Sequence, residues 1–229
     1  MRMVSVYMIW ELHLTRSFSS GQVTASDYSC LEQLGIGTVI DLRSHSERQH
    51  WGFLDHHSFK NYAVASSQAE EGRGFMERLQ LYATGPIGFC QVYMEIVTLR
   101  REFLRNVFNI ISDPATKGNI LIHCAVGKDR TGIVIALLLM LLDVPDTAIA
   151  ADYALSEGNI GAERRTRLMP RNKIEQIWQS SELSMLLFLS QFRNKFGSIQ
   201  SYLISTIGYS EDEVKKLQNQ VLYFYNSKQ

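Results

Sequence analysis

The sequence predicts an α/β fold: a central, mostly parallel sheet flanked by helices, with a helical C-terminal half. Three observations carry that prediction. Short apolar runs, at residues 38–42 and again at NILIH, alternate with longer segments of helical periodicity. Residues 133–142 are an unbroken apolar run, and a helix that is apolar all round belongs in the core. From Asp146 onward the patterning is helical.

The elements follow in order. Thr24, with Asp27 three residues later, reads as a helix N-cap, and the apolar face of ASDYSCLEQLG stops at Gly35. GTVIDLRS then reads as a buried strand with Asp41 and Arg43 at its C-terminal end. FKNYAVA reads as a further strand. Residues 66–88 form a polar, Gly-containing stretch with a short helix over 76–82, and both a mobile flap and a plain surface loop fit it. FCQVYMEIVTLRREFLRNVFNIIS places Val92, Ile96, Leu99, Phe103, Val107 and Ile110 at helical spacing, which predicts one long helix. NILIH is a strand, and RTGIVIALLLMLLDV is the core helix, stopped near Pro145. SEDEVKKLQNQVLYFY opens with a capping box, Ser210 and Glu213.

The whole chain, residues 1–229, reads as a single domain, large enough to bury a substantial core. Lys+Arg and Asp+Glu are equal at 23 each, which argues against non-specific nucleic-acid binding. Arg164, Arg165, Arg167 and Arg171 form a local basic run beside Glu163: either a receiver for an anionic head group or a solvated face. Cys30, Cys90 and Cys124 are too scattered for a disulfide framework or a zinc motif, so a reducing, cytoplasmic setting is expected. MRMVSVYMIWE lacks the long apolar region of a signal peptide, and no run approaches the ~20 residues of a membrane helix.

The chemistry concentrates in LIHCAVGKDRTG. In open α/β sheets ligands bind at the carboxyl ends of strands, and the loop Cys124, Ala125, Val126, Gly127, Lys128, Asp129, Arg130 lies at such an end and leads into a helix. The unpaired first-turn N–H groups of that helix make an anion site, and Gly127 lets successive amides point inward. Arg130 adds a planar fork for two phosphate oxygens, and Lys128 a point charge. A cysteine opening this loop faces all of those positive groups, which favour its nucleophilic thiolate form. Thiolate attack on phosphorus would leave a cysteinyl-phosphate that water hydrolyses, a reaction that needs no metal or cofactor. A Walker-type nucleotide loop is excluded, because Gly127-Lys128 is followed by Asp and position 122 is Ile.

The loop resembles the active-site loop of cysteine-dependent protein tyrosine phosphatases. Its wording, His-Cys-x-x-Gly-Lys-Asp-Arg-Thr-Gly, is most similar to the atypical tyrosine/serine, dual-specificity-like branch. LTRSFSSGQVTASDYSCLEQLGIGTVIDLRSHSE, AADYALS and GSIQSYLISTIGYSEDEV resemble upstream and downstream pieces of that branch, covering about two thirds of the chain. Residues 1–14 depart from its usual Asn-Phe-Arg-Asp-Leu-Gly-like opening. The resemblance implies a phosphatase-like fold and a phosphorylated protein or phosphoinositide substrate, with inorganic phosphate as product.

Cys124 is then the expected nucleophile and Arg130 the phosphate clamp. Asp129, which the matching branch carries at this place, is the favoured general acid, ahead of Asp41 at its strand end and Glu70, Glu71 or Glu77 on the flap. His123 supports the loop or is a satisfied core histidine; Thr131 is placed to steady the sulfur. Asp41 and Arg43 serve either catalysis or as an ion pair bracing the strand end. Cys30 and Cys90 fit apolar helical faces, with Cys90 a minor candidate for pairing with Cys124. A phospho-ligand binding module without turnover is the rival reading, and sulfur transfer or arsenate reduction a third.

Overall fold

The computed structural model describes residues 25–67, 72–156, 177 and 179–226. Thr24, Glu70, Glu71 and the Arg164–Arg171 basic run lie outside the described residues.

Three parallel strands form the sheet, in the order β2-β1-β3. They are β1 (Ile36–Asp41), β2 (Lys60–Ala63) and β3 (Asn119–His123). β1 is central, and Asp41 stands opposite both Ala63 and His123, so all three strands end together on one carboxyl edge. The pleat alternates its side chains between two cores. Val39 and Leu121 join Leu31, Ile36, Leu54 and Phe59 in a small core beneath helix α1 (Ala25–Gln33). Ile40 and Ile122 face the large core on the other side.

That large core is built by helices. Helix α2 (His45–Trp51) follows β1, and α3 (Phe75–Tyr82) precedes the pair α4 (Pro86–Leu99) and α5 (Arg101–Ser112). Helix α6 (Asp129–Leu141) follows β3, and every residue from Thr131 to Leu141 is buried. Helices α7 (Asp146–Ala154), α8 (Glu182–Phe196), the short α9 (Ile199–Tyr202) with a wider turn over Leu203–Ile207, and α10 (Glu211–Asn226) complete that core: α7 and α9 pack on α6, α8 on α4 and α7, and α10 on α5. This is the expected α/β arrangement, a small open parallel sheet under a mostly helical body. The capping box at Ser210 and Glu213 is present, each bonding the other's backbone N–H.

One expected element divides. The long helix over FCQVYMEIVTLRREFLRNVFNIIS breaks at Arg100, whose φ of −96° and ψ of 51° are not helical. The apolar spacing runs straight across the break and hides it. Leu99, assigned by that spacing to the inner face, is 45% exposed, and the buried stripe resumes beyond the break at Phe103, Leu104, Val107, Phe108 and Ile111. Two shorter helices can each wrap the core, where one straight rod would leave it.

Candidate active site

Cys124 is the first residue beyond β3, and α6 begins five residues later. Gly127 sits between them at φ 75°, a left-handed conformation that favours glycine. That turn aims the Gly127 N–H at the Cys124 sulfur, 3.2 Å away. The cysteine is 6% exposed, so the loop holds it at the floor of the edge.

Arg130, in the first turn of α6, reaches back across the loop. Its Nη1 donates to Leu42 O at 3.0 Å and Glu47 Oε2 at 2.7 Å, and its Nη2 donates to Glu47 Oε1 at 2.7 Å. A guanidinium has five N–H groups. Glu47 clasps the end-on edge, and the side-on pair, Nε–H with the second Nη2–H, carries no bond among the described residues. That pair is the fork geometry that matches two oxygens of a phosphate. Burial works against the charge of Arg130, but the Glu47 hydrogen bonds and the neighbouring Cys124 outweigh it and hold it firmly cationic.

Glu47 is itself fixed by sequence-local chemistry. Ser44 caps α2: its Oγ accepts from the Glu47 N–H at 3.2 Å, and Glu47 Oε2 accepts from the Ser44 N–H at 2.7 Å. Burial raises the Glu47 carboxyl, but the bonds from Arg130 and Ser44 prevail and bring it down to about 2. The carboxylate therefore stays ionised and its grip constant. The signal that finds it is Ser44-x-x-Glu47, a capping box just after a strand.

Asp41 and Arg43 form a closed pair. Arg43 Nε lies 2.9 Å and 3.1 Å from the two Asp41 oxygens and Nη2 lies 2.6 Å from Oδ2, with both side chains 0% exposed. Arg43 Nη2 also donates to Gly52 O at 2.8 Å, and its N–H to Asp41 Oδ1 at 3.0 Å. Asp41 is pushed up by burial and pulled further down by Arg43 and His123, so it is held below the usual carboxylate range. Here the bracing reading of the pair is the one the geometry fits. His123 Nε2 lies 3.9 Å from Asp41 Oδ1, and burial keeps the imidazole neutral by lowering it to about 4.

The rest of the loop turns inward. Lys128 is 1% exposed; its Nζ donates to Asp129 Oδ1 at 2.7 Å and lies over the Phe89 and Tyr82 rings, 4.3 Å and 5.2 Å from their centroids. Asp129 opens α6 and is 19% exposed. Tyr93, from α4, donates its hydroxyl to the same Oδ1 at 2.8 Å. Thr131 Oγ1 is buried with no hydrogen-bond partner among the described residues. Ala125 and Val126 are half-buried on the turn. Glu77 is exposed, its carboxylate accepting from Gly74 N–H at the start of α3. Among the described residues Cys30, Cys90 and Cys124 are all free thiols. Away from this loop, Glu32, His56 and His57 bring three ligand atoms within 4.8 Å of one another, in α1 and the loop before β2.

A cysteine, an amide N–H aimed at its sulfur and a guanidinium fork with no bond among the described residues stand at the carboxyl edge of a parallel sheet, an arrangement with the chemistry to hold an anion. The tyrosine phosphatase family model matches residues 7–223, and the chain belongs to that family, a class of phosphatase hydrolases. It is 27% identical over 219 residues to a tyrosine-protein phosphatase of Nostoc commune, covering 88% of this chain and 71% of that protein. A Cupriavidus necator protein assigned as a tyrosine-protein phosphatase is 30% identical over 144 residues, or 61% of this chain and 51% of that protein. Among the described residues no helix is long and apolar enough to cross a membrane.

Proposed function

We propose that this phosphatase hydrolyses phosphate monoesters through a cysteinyl-phosphate on Cys124, as a member of the atypical tyrosine/serine branch. The observation that carries the reading is the open side-on fork of Arg130 beside a cysteine whose sulfur already receives an amide N–H. Two phosphate oxygens sit on that fork and the third faces the loop amides. Cys124 Sγ forms a bond to phosphorus as the bond to the leaving oxygen breaks, and Asp129 gives that oxygen its proton. A water then attacks phosphorus, Asp129 takes back a proton, the P–S bond breaks and inorganic phosphate leaves.

Asp129 is preferred to Asp41 for the acid because Asp41 is wholly buried and tied to Arg43. Lys128, with its ammonium on Asp129, acts through that carboxylate rather than as a free point charge. His123 and Thr131 support the loop from beneath. No step requires a metal or cofactor. Phosphotyrosine is the substrate class that the relatives' names suggest for this chain, with phosphoserine, phosphothreonine or a phosphoinositide as extensions of the same chemistry.

The test is hydrolysis of para-nitrophenyl phosphate in EDTA by wild type and Cys124→Ser. Turnover that survives EDTA and disappears in the variant is expected. A folded wild type that binds phosphorylated ligands without turning any over would replace the enzyme reading with that of a binding module.

A further inference from the structure

Behind the loop, two buried tyrosines form a polar contact inside an otherwise apolar core. Tyr93 Oη, from α4, lies 2.5 Å from Tyr153 Oη, from α7, and 2.8 Å from Asp129 Oδ1. Tyr93 is 0% exposed and Tyr153 2%. Phe89, Tyr153 and Phe188 meet the Tyr93 ring edge-on, with centroids at 6.0, 6.1 and 6.0 Å. A leucine or phenylalanine would fill either place as well, so the hydroxyls need a reason to be there.

Proton counting gives the direction of the chain. A carboxylate oxygen only accepts, so the single Tyr93 proton goes to Asp129. The Tyr93 oxygen is then the acceptor in the tyrosine pair, and Tyr153 is its donor. Burial first, and the Asp129 charge second, hold the Tyr93 phenol far above its ordinary range, so it stays a neutral donor throughout. Lys128 Nζ bonds the same Oδ1 at 2.7 Å. Oδ1 thus receives two donors, while Oδ2 carries no hydrogen bond among the described residues.

We infer that Tyr153 and Tyr93 form a one-way hydroxyl chain that clamps Asp129 by Oδ1 and leaves Oδ2 as the atom that gives and takes the catalytic proton. Tyr93 is a positioning residue of the reaction, and Tyr153 acts through it. This rests on the reading of Asp129 as the general acid. The chain also accounts for Gly132 in the loop motif. A Cβ at Gly132 would lie 3.0 Å and 3.1 Å from the Tyr153 ring, tighter than ordinary side-chain contact, so the glycine makes room for the outer tyrosine against the first turn of α6.

The experiment compares kcat/KM for para-nitrophenyl phosphate with that for phenyl phosphate, whose leaving group depends far more on protonation. A residue that orients the acid affects the second substrate selectively, whereas simple loosening of the core affects both alike. Asp129→Asn is expected to lower phenyl phosphate turnover about 100-fold and para-nitrophenyl phosphate much less. Tyr93→Phe should show the same selectivity at about tenfold, and Tyr153→Phe at about two- to threefold. Tyr93→Phe added to Asp129→Asn should cost nothing more, because the hydroxyl acts only through the carboxylate.

Equal losses on both substrates for Tyr93→Phe, or full additivity with Asp129→Asn, would overturn the positioning role. A larger loss for Tyr153→Phe than for Tyr93→Phe would overturn the direction of the chain. If Asp129→Asn itself shows no leaving-group selectivity, the acid is elsewhere, and both the assignment and this inference fall together. Selectivity in Asp129→Asn without it in Tyr93→Phe removes the hydroxyl chain alone.

Discussion

Two arginines lie near one edge of the sheet, each gripped by a carboxylate, and they differ in which edge of the guanidinium is taken. Asp41 occupies the side-on edge of Arg43, through Nε and Nη2, and both partners are sealed from solvent. Glu47 occupies the end-on edge of Arg130, through Nη1 and Nη2, with 20% and 23% of the two side chains exposed. The first pair has closed its side-on fork on a neighbour; in the second that fork carries no bond among the described residues. The same kind of arginine–carboxylate pairing thus gives a sealed pair in one place and, among the described residues, a vacant fork in the other. Edge and burial make the difference, and composition says nothing about either.

Substitutions separate the two roles. Arg130→Lys keeps the charge but loses the planar fork, so kcat/KM for para-nitrophenyl phosphate should fall about 100- to 1,000-fold with little change in the urea midpoint. Arg43→Met should do the reverse. It leaves the Asp41 charge buried without its partner, at a cost of about 3–5 kcal/mol in urea unfolding, with far less change in turnover per folded molecule. If Arg43→Met removed activity as fully as Arg130→Lys while leaving stability intact, the contrast would be wrong. Glu47→Gln should fall between them, lowering kcat/KM about tenfold by loosening the Arg130 fork, roughly the loss of one charge-assisted hydrogen bond.

The most gradual effect is in pH. His123 is held at about 4, below its ordinary 6.5. Between those values the unfolded chain takes up a proton that the folded chain refuses, so stability present above pH 6.5 is lost as pH falls toward 4. The slope from this one group is at most about 1.4 kcal/mol per pH unit. Glu47, brought from 4.5 to about 2, loses its contribution in the same direction over the next, more acidic interval. Thermal melts from pH 7 to 4 should show the first decline, and His123→Asn should flatten it.

Much of this was legible in the chain. The strand, loop and core helix around Cys124 announce themselves because burial leaves apolar runs at residues 120–122 and 133–141, and the polar loop between stands out. What was not legible concerns partners distant in sequence. Glu47 and Arg130 are 83 residues apart, and only the cap at Ser44 hints that the carboxylate is fixed in place. Tyr93 and Tyr153 were not singled out at all, since a periodicity argument sees a ring and not where its hydroxyl points. Lys128 looked like a cation for the substrate, yet its four-carbon stem turns the ammonium under the loop to Asp129. The break at Arg100 was invisible because the apolar spacing on its two sides happens to join in phase.

Helix α6 has a consequence for how the molecule comes apart. A segment with eleven successive buried residues cannot detach while its surroundings stay folded, so its amides should exchange with deuterium only when the whole body opens. The reactive loop is stitched to the first turn of that segment. Local breathing that frays loops elsewhere therefore does not reach it. Loss of activity in denaturant should then coincide with loss of the entire fold, with no earlier step in which the molecule stands but the site has failed.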